Sequence, residues 1–360
     1  MLIAAEVTRF LRERELVGPS EQLSLAPAIQ STGPNCTLLM REVDRSGLFI
    51  KQARDARGHA RLAREAWFHQ QVESSDSRMH GVRDHVAGFL AWDVELGVLV
   101  LSGFLNAVDL QHPVTGRIKY SAPIGRAIGT VLAALHELGP TSDVLNSDTA
   151  HEPRGRAWRA LAGGEGEASL GQNECTAAFV DEVHRLDEIQ ANVDEIRSRW
   201  SPDALIHGDI RWDNWMLLPS TRERPELRLV DWETVCAGDP RWDVGSAIAA
   251  YVMSLVRSIP SARVVDVDTA RRALKSIRPM RPGIKALCQS YIAERHLDAS
   301  ERDLIANCLP YVVTHLVMSA IDEVDAAGAP TAGAGALVQV ACNLINDPGV
   351  AVELLLGPMR

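Results

Sequence analysis

The sequence predicts an α+β chain of two lobes, a small β-rich N-lobe over residues 1–103 and a larger, mainly helical C-lobe over 104–360. Three observations carry this reading. The chain has 360 residues, too many for one small core and suited to two. Residues 1–103 interleave helical and strand-like stretches. Beyond Gly103 helical spacing takes over, interrupted by one short hairpin.

The opening stretch "MLIAAEVTRFLRERELV" carries Glu6 and Arg9 among its apolar residues, so it reads as an amphipathic helix and not as a signal peptide. Residues 37–53, "TLLMREVDRSGLFIKQA", read as two strands joined by a turn at Asp44–Gly47. A helix follows over 55–74, with Leu62, Ala66 and either Phe68 or Gln70 near helical spacing. Residues 90–105 give two short strands around Glu95–Gly97. In the second lobe "APIGRAIGTVLAALHEL", 122–138, places Ile124, Ile128, Val131, Leu132 and Leu135 on one helical face. The polar, Gly-rich stretch 140–173 reads as a loop or mobile insertion, and a helix covers roughly 175–199. A hairpin over 215–233, whose second strand is "LRLVDWE", precedes a largely helical remainder.

Composition narrows the function classes. A hydrophobic share of 46% and a charged share of 23% are those of an ordinary globular chain. A formal net charge of −10 argues against non-specific nucleic-acid binding, which needs a basic surface. The longest uncharged run, 326–346, is too rich in Gly, Ala, Thr, Gln and Asn to span a bilayer. Cys36, Cys175, Cys236, Cys288, Cys308 and Cys342 are scattered without a CxxC pair, so most read as small buried hydrophobes. The expectation is a cytoplasmic protein with no nucleic-acid or membrane partner.

The chemistry concentrates in "LIHGDIRWDN", 205–214. Charged side chains are rarely buried without a partner, and here a His, two Asp, an Arg and an Asn follow an apolar pair. Phosphoryl transfer calls for such a set: a carboxylate to meet a hydroxyl, oxygen ligands for Mg²⁺, and a cation on the nucleotide phosphates. Asp209, Asn214 and Asp231 fit the first two needs, with the hairpin bringing Asp231 back beside the loop.

"HGDIRWDN", followed by "LVDWE" and "GDPRWDVG", resembles the aminoglycoside phosphotransferase and choline kinase branch of the protein-kinase-like fold. The resemblance covers about 30–325. It implies Asp209 as catalytic base, Arg211 facing the γ-phosphate, and Asn214 and Asp231 as metal ligands. It further implies His207 as a structural residue of the loop and Asp243 as the carboxylate bracing that loop from a following helix. "GLFIKQ" puts Lys51 where the family's phosphate-binding lysine lies, with Glu65 of "AREAWF" as its ion-pair partner. "STGPNCT", with Gly33 and Asn35, resembles the nucleotide-covering loop. "VLVLSGFLN", with Ser102 and Phe104, resembles the hinge whose backbone takes adenine.

Three features depart from the pattern. The covering loop has only Gly33, followed by Pro34. Ser102 stands where relatives often carry an acidic residue, which leaves ATP against GTP open. Glu233 replaces the glycine of a protein kinase's DFG, so no mobile DFG-type switch is implied. The expected cofactors are ATP, with GTP as alternative, and Mg²⁺. The expected activity is transfer of the γ-phosphate to a hydroxyl of a small molecule such as an antibiotic, amino alcohol or sugar. The alternatives are a kinase of peptide Ser or Thr and an inactive scaffold of the same fold. The last is disfavoured because base, metal ligands and lysine are all present.

Overall fold

The computed structural model describes residues 4–18, 23–25, 35–42, 47–74, 77–104, 106–139, 155–163, 174–258 and 277–358. By internal contacts the chain divides into two units, 1–110 together with 213–235, and 111–212 together with 236–360. In chain order the lobe boundary falls at 103/104, whereas by contacts the hairpin groups with the strand-rich unit.

Five strands, β1 (Leu23–Leu25), β2 (Asn35–Glu42), β3 (Leu48–Ala53), β4 (Phe89–Asp93) and β5 (Val98–Ser102), form the sheet of the first unit. Their order is β1-β2-β3-β5-β4, antiparallel throughout. Leu48 and Ile50 of β3 and Val98 and Val100 of β5 pack with Val7, Phe10 and Leu11 of helix α1 (Ala4–Glu13). On the other face Leu99, Leu101 and Phe49 pack with Leu62 and Ala66 of helix α2 (Ala56–Glu73). The choice between Phe68 and Gln70 is settled: Phe68 is the buried residue. Each fully buried Leu or Ile contributes about 1.5–3 kcal/mol, so both faces are firmly specified. Strand alternation then fixes the chemistry, because Lys51 shares its face with Phe49 and must point toward α2. Asp55 caps α2, its side chain accepting from the Gly58 amide at 2.7 Å.

A short helix α3 (His80–Arg83) precedes β4. The hairpin strands β8 (Trp215–Leu217) and β9 (Leu227–Leu229) join β6 (Val108–Asp109) in a three-stranded sheet. The second hairpin strand, expected over 227–233, stops at Leu229 because Asp231 takes left-handed backbone at φ 71°.

The second unit is built on helices α4 (Ala122–Glu137), α5 (Arg156–Leu161), α6 (Glu174–His184), α7 (Asp187–Arg199), α8 (Pro240–Arg257), α9 (Arg281–Glu294), α10 (Glu301–Ala327), α11 (Ala332–Asn346) and α12 (Pro348–Leu356). A two-stranded ribbon pairs β7 (Ala204–Ile206) with β10 (Cys236–Gly238). The single helix expected over 175–199 is two, broken at Arg185–Leu186, each piece burying its own apolar stripe. Helices α4 and α9 touch backbone to backbone. A Cβ on Gly125 would lie 2.0 Å from the Gly283 carbonyl oxygen, and one on Gly129 2.4 Å from that of Leu287. Helix α10 is long and apolar enough to cross a membrane, but 72% of its apolar window is buried in the unit, as in a core helix. Cys236, Cys288, Cys308 and Cys342 are buried, as small hydrophobes are.

Candidate active site

In the first unit the ammonium of Lys51 lies 2.8 and 2.9 Å from the two carboxylate oxygens of Glu65 and 2.6 Å from Asp231 Oδ1. Glu65 is fully buried, while the Asp231 side chain is 39% exposed and so retains open carboxylate surface. Burial works against the Lys51 charge, but the Asp231 and Glu65 carboxylates outweigh it and hold the amine protonated, above the ordinary lysine range. Burial pushes Glu65 upward against the pull of Lys51, as expected when two carboxylates share one cation.

Asn214 is placed by the hairpin. The Val230 amide donates to the Asn214 carbonyl at 3.0 Å, extending the Trp215–Leu229 pairing by one step, so Asn214 lies alongside the residue before Asp231. Asn214 is buried to 5% exposure, and Asp231 occupies a backbone region few non-glycine residues adopt. Among the described residues no three His, Cys, Asp or Glu cluster as a metal site of their own. One amide oxygen and one carboxylate are hard donors, and a set this small suits Mg²⁺, which keeps waters and takes the rest of its shell from phosphates. The residues fit that ion and not zinc.

In the second unit, helix α8 holds the loop over 207–212. Asp243 accepts from the amides of His207 at 2.7 Å and Gly208 at 2.9 Å, and contacts His136 Nε2 at 3.2 Å. The His136 ring continues to the Tyr291 hydroxyl at 2.9 Å. Burial opposes the Asp243 charge, and the His136 hydrogen bond with the loop amides outweighs it, drawing its carboxyl below the ordinary range. Three further α8 contacts pin the loop: Ser246 donates to the Ile210 carbonyl, Trp242 to that of Gly208, and Trp212 donates back to the Ala250 carbonyl and Ser254. Gly208 sits at φ 84°, where a side chain would strain the turn. His207 is fully buried; its Nδ1 accepts from the Asp209 amide at 3.2 Å, a structural role. The Asp209 side chain is 36% exposed, and Arg211 Nε lies 3.9 Å from its Oδ1.

The sequence-predicted residues thus fall into two groups, Lys51, Glu65, Asn214 and Asp231 in one unit, and His207, Asp209, Arg211 and Asp243 in the other. Ser102 is engaged internally: its amide donates to the Gly88 carbonyl at 2.9 Å and its hydroxyl accepts from the Gly88 amide at 2.7 Å. The Phe104 ring meets Phe49 edge-on at 6.0 Å and contributes to the α2-side core. Gly33 lies outside the described residues, and Asn35 is described only as the first residue of β2, opposite Ala53.

Sequence reasoning missed three features. Trp242, Ser246 and Ser254 recur at near-helical steps with Asp243, a pattern readable only once the loop is known to lie on α8. Asp322 of α10 reaches solvent, yet crowding by protein and the Asp209 charge push its carboxyl up to about 6. His69, one helical turn after Glu65, is buried, with Nδ1 2.9 Å from the Ala87 carbonyl, and desolvation lowers it to about 3, so it is neutral.

Residues 40–279 match the model of the phosphotransferase enzyme family known as APH. The chain belongs to that family. It is therefore a phosphotransferase, a kinase in chemical class. No curated protein sequence matches it significantly. Solved structures of the protein-kinase-like fold do. A choline kinase from Cryptosporidium parvum Iowa II is 10% identical, with 98% of each chain covered and a TM-score of 0.56. The streptomycin–ATP complex of APH(2″)-IIa is 11% identical over 96% of this chain and 99% of that one, with a TM-score of 0.54. The choline kinase LicA from Streptococcus pneumoniae is 13% identical over 95% and 99%, with a TM-score of 0.51. At these identities the likeness concerns the fold, and it places this phosphotransferase in the bilobal α+β class.

Two expected results arise from the geometry. Replacing Glu65 with Gln should weaken nucleotide use less than removing Lys51, because Glu65 only orients the ammonium; KM for nucleotide in the two variants checks the order. Asp243→Ala orphans the buried His207 amide, at a cost of about 1–3 kcal/mol, and frees the half-buried Gly208 amide, so denaturant unfolding should show a loss of at least about 1–3 kcal/mol.

Proposed function

We propose that this phosphotransferase moves the γ-phosphate of ATP to a hydroxyl group of a small molecule, with Mg²⁺. The observation that carries the proposal is the buried Lys51–Glu65 pair reaching Asp231, a cation held ready beside a carboxylate with open surface. Lys51 binds the nucleotide phosphates, and Asn214 and Asp231 hold the metal. Held by those two side chains, Mg²⁺ would supply neutralisation of the phosphate charge. Asp209 accepts the proton of the acceptor hydroxyl as its oxygen bonds to the γ-phosphorus; the bond from phosphorus to the β–γ bridging oxygen breaks, and ADP leaves. Arg211 stands two residues on as a second cation for the transferred group. Charge neutralisation and positioning are what a loose phosphoryl-transfer transition state asks of a protein.

Support for ATP and for a small acceptor comes from the fold relatives, one solved with streptomycin and ATP and two described as choline kinases. We place the enzyme in the cytoplasm, where ATP is supplied. The test is ADP release with ATP or GTP across amino alcohols, sugars, aminoglycosides, macrolides and Ser/Thr peptides, with products read by phosphorus NMR. A phosphate ester on a small-molecule hydroxyl, formed with ATP and dependent on Mg²⁺, is expected. Transfer confined to peptides, or turnover with GTP alone, would replace this reading.

A further inference from the structure

The segment carrying Asp231 is fastened to one face of helix α2. Arg61 Nη1 lies 2.8 Å from Glu233 Oε1, and Arg64 Nη1 donates to the Glu233 carbonyl at 3.1 Å. Glu65 Oε1 accepts from the Trp232 amide at 3.3 Å. The Phe68 ring stacks on that of Trp232 with centroids 4.0 Å apart. Residues 61, 64, 65 and 68 follow the i, i+3, i+4, i+7 spacing of a single helical face. The Trp232 indole in turn donates to the Leu229 carbonyl at 2.9 Å, closing the turn on its own strand.

We infer that Arg61 and Glu233 are positioning residues for the metal carboxylate: their ion pair clamps the 231–233 turn to α2 and thereby sets Asp231. This rests on the proposed role of Asp231 as a Mg²⁺ ligand. Asp231 adopts φ 71°, a conformation that persists only when its surroundings impose it. The fastening on its C-terminal side, through Trp232 and Glu233, comes from α2. The same helix supplies Glu65, which shares Lys51 with Asp231. One element therefore fixes the phosphate cation and the metal carboxylate together. The Arg61–Glu233 pair is only 24% and 16% exposed, so water screens it weakly. Glu233 acts through Arg61; it is an anchor and not a ligand.

The test is Mn²⁺ binding, followed by paramagnetic resonance in the presence of an imido analogue of ATP, for wild type, Arg61→Glu, Glu233→Arg and the doubly exchanged variant. Loss of an outer-shell partner typically weakens metal binding about 10–100-fold, and each single exchange should fall in that range. The double exchange restores the pair with reversed polarity and should recover most of the affinity, a rescue that lost packing alone would not give. Analogue binding without metal should change little in the single variants. Unchanged Mn²⁺ affinity in both single variants overturns the inference, as does a double variant no better than the worse single one. If Arg61→Glu does not fold, Arg61→Gln keeps the stem and hydrogen-bonding capacity while removing the charge, and is read in the same way. A wild-type enzyme that binds no Mn²⁺ with the analogue would instead overturn the metal role of Asp231, and the clamp with it.

Discussion

Asp209→Asn should lower kcat by about 10²–10⁴-fold, the usual contribution of a positioned general base, while nucleotide binding holds. The amide keeps the shape of the carboxylate but not its basicity, so the acceptor hydroxyl loses its proton sink. Nothing around the loop should move. The fixings that shape it are backbone groups, with His207 and Gly208 donating to Asp243 and Ile210 accepting from Ser246. Asp209 takes part through its own amide, donating to His207 Nδ1, and an Asn has the same amide. The Asp209 side chain is 36% exposed and stands 3.9 Å from Arg211, so its replacement leaves no deeply buried charge behind. Thermal unfolding should stay close to wild type. The unfolding temperature should rise slightly at neutral pH, since Asp322 loses a repulsive neighbour.

That last effect has a sign that can be checked. Crowding by protein and the Asp209 charge hold the Asp322 carboxyl above its ordinary range, so the folded state binds that proton more tightly than the unfolded chain. Such a group costs stability as pH rises from the ordinary aspartate range to about 6, and no more beyond it. Removing the Asp209 charge lowers the upper limit of this window. The difference in unfolding temperature between Asp209→Asn and wild type should therefore be present at pH 7 and vanish near pH 4. A variant that transfers phosphate at the wild-type rate would remove Asp209 from the role of base; one that loses nucleotide binding together with activity would make its role structural.

The parts of the site legible in the sequence are those fixed by local rules. The two-residue period of β3 and a helix with Glu65 among apolar neighbours suffice to bring Lys51 and Glu65 face to face, 14 residues apart in the chain. The hairpin register sets Asn214 beside Val230, one residue before Asp231. What escaped notice depends on distant chain segments or on very short ones. Strands β6, β7 and β10 have two or three residues, too few for a period to show. The hold of α8 on the loop runs through Ser246 and Trp242, 36 and 34 residues from their partners, and neither residue type announces it. Ser102 reads as a hinge residue, and the pairing of its hydroxyl with the Gly88 amide, 14 residues away, has no local signal. In the sequence Glu233 reads only as the residue in place of a DFG glycine. Its Arg61 partner lies 172 residues upstream, beyond any local signal.

Lys51→Ala should cut kcat/KM for nucleotide by about 10²–10³-fold, the usual consequence of removing one charge-stabilising group from a transferring centre. It should also destabilise the fold, because Lys51 answers two carboxylates at once. Glu65 is fully buried, and breaking a buried pair from one side typically costs about 3–5 kcal/mol. Two features moderate that cost. The Asp231 side chain is partly exposed and can be solvated, and Glu65, already displaced upward by burial, can take up a proton in place of the lost ammonium. The second route makes the loss depend on pH. A carboxyl whose folded value lies above its unfolded one is destabilising once pH exceeds the ordinary glutamate range, and the penalty grows until the folded value is passed. The instability of Lys51→Ala should therefore be largest in neutral solution and shrink toward pH 4. Adding Glu65→Gln separates stability from catalysis. The neutral amide needs no cation, so Lys51→Ala with Glu65→Gln should recover most of the lost stability in denaturant unfolding, while nucleotide turnover stays as low as in Lys51→Ala. Recovery of turnover along with stability would mean that Lys51 serves the fold alone and that another cation meets the phosphates.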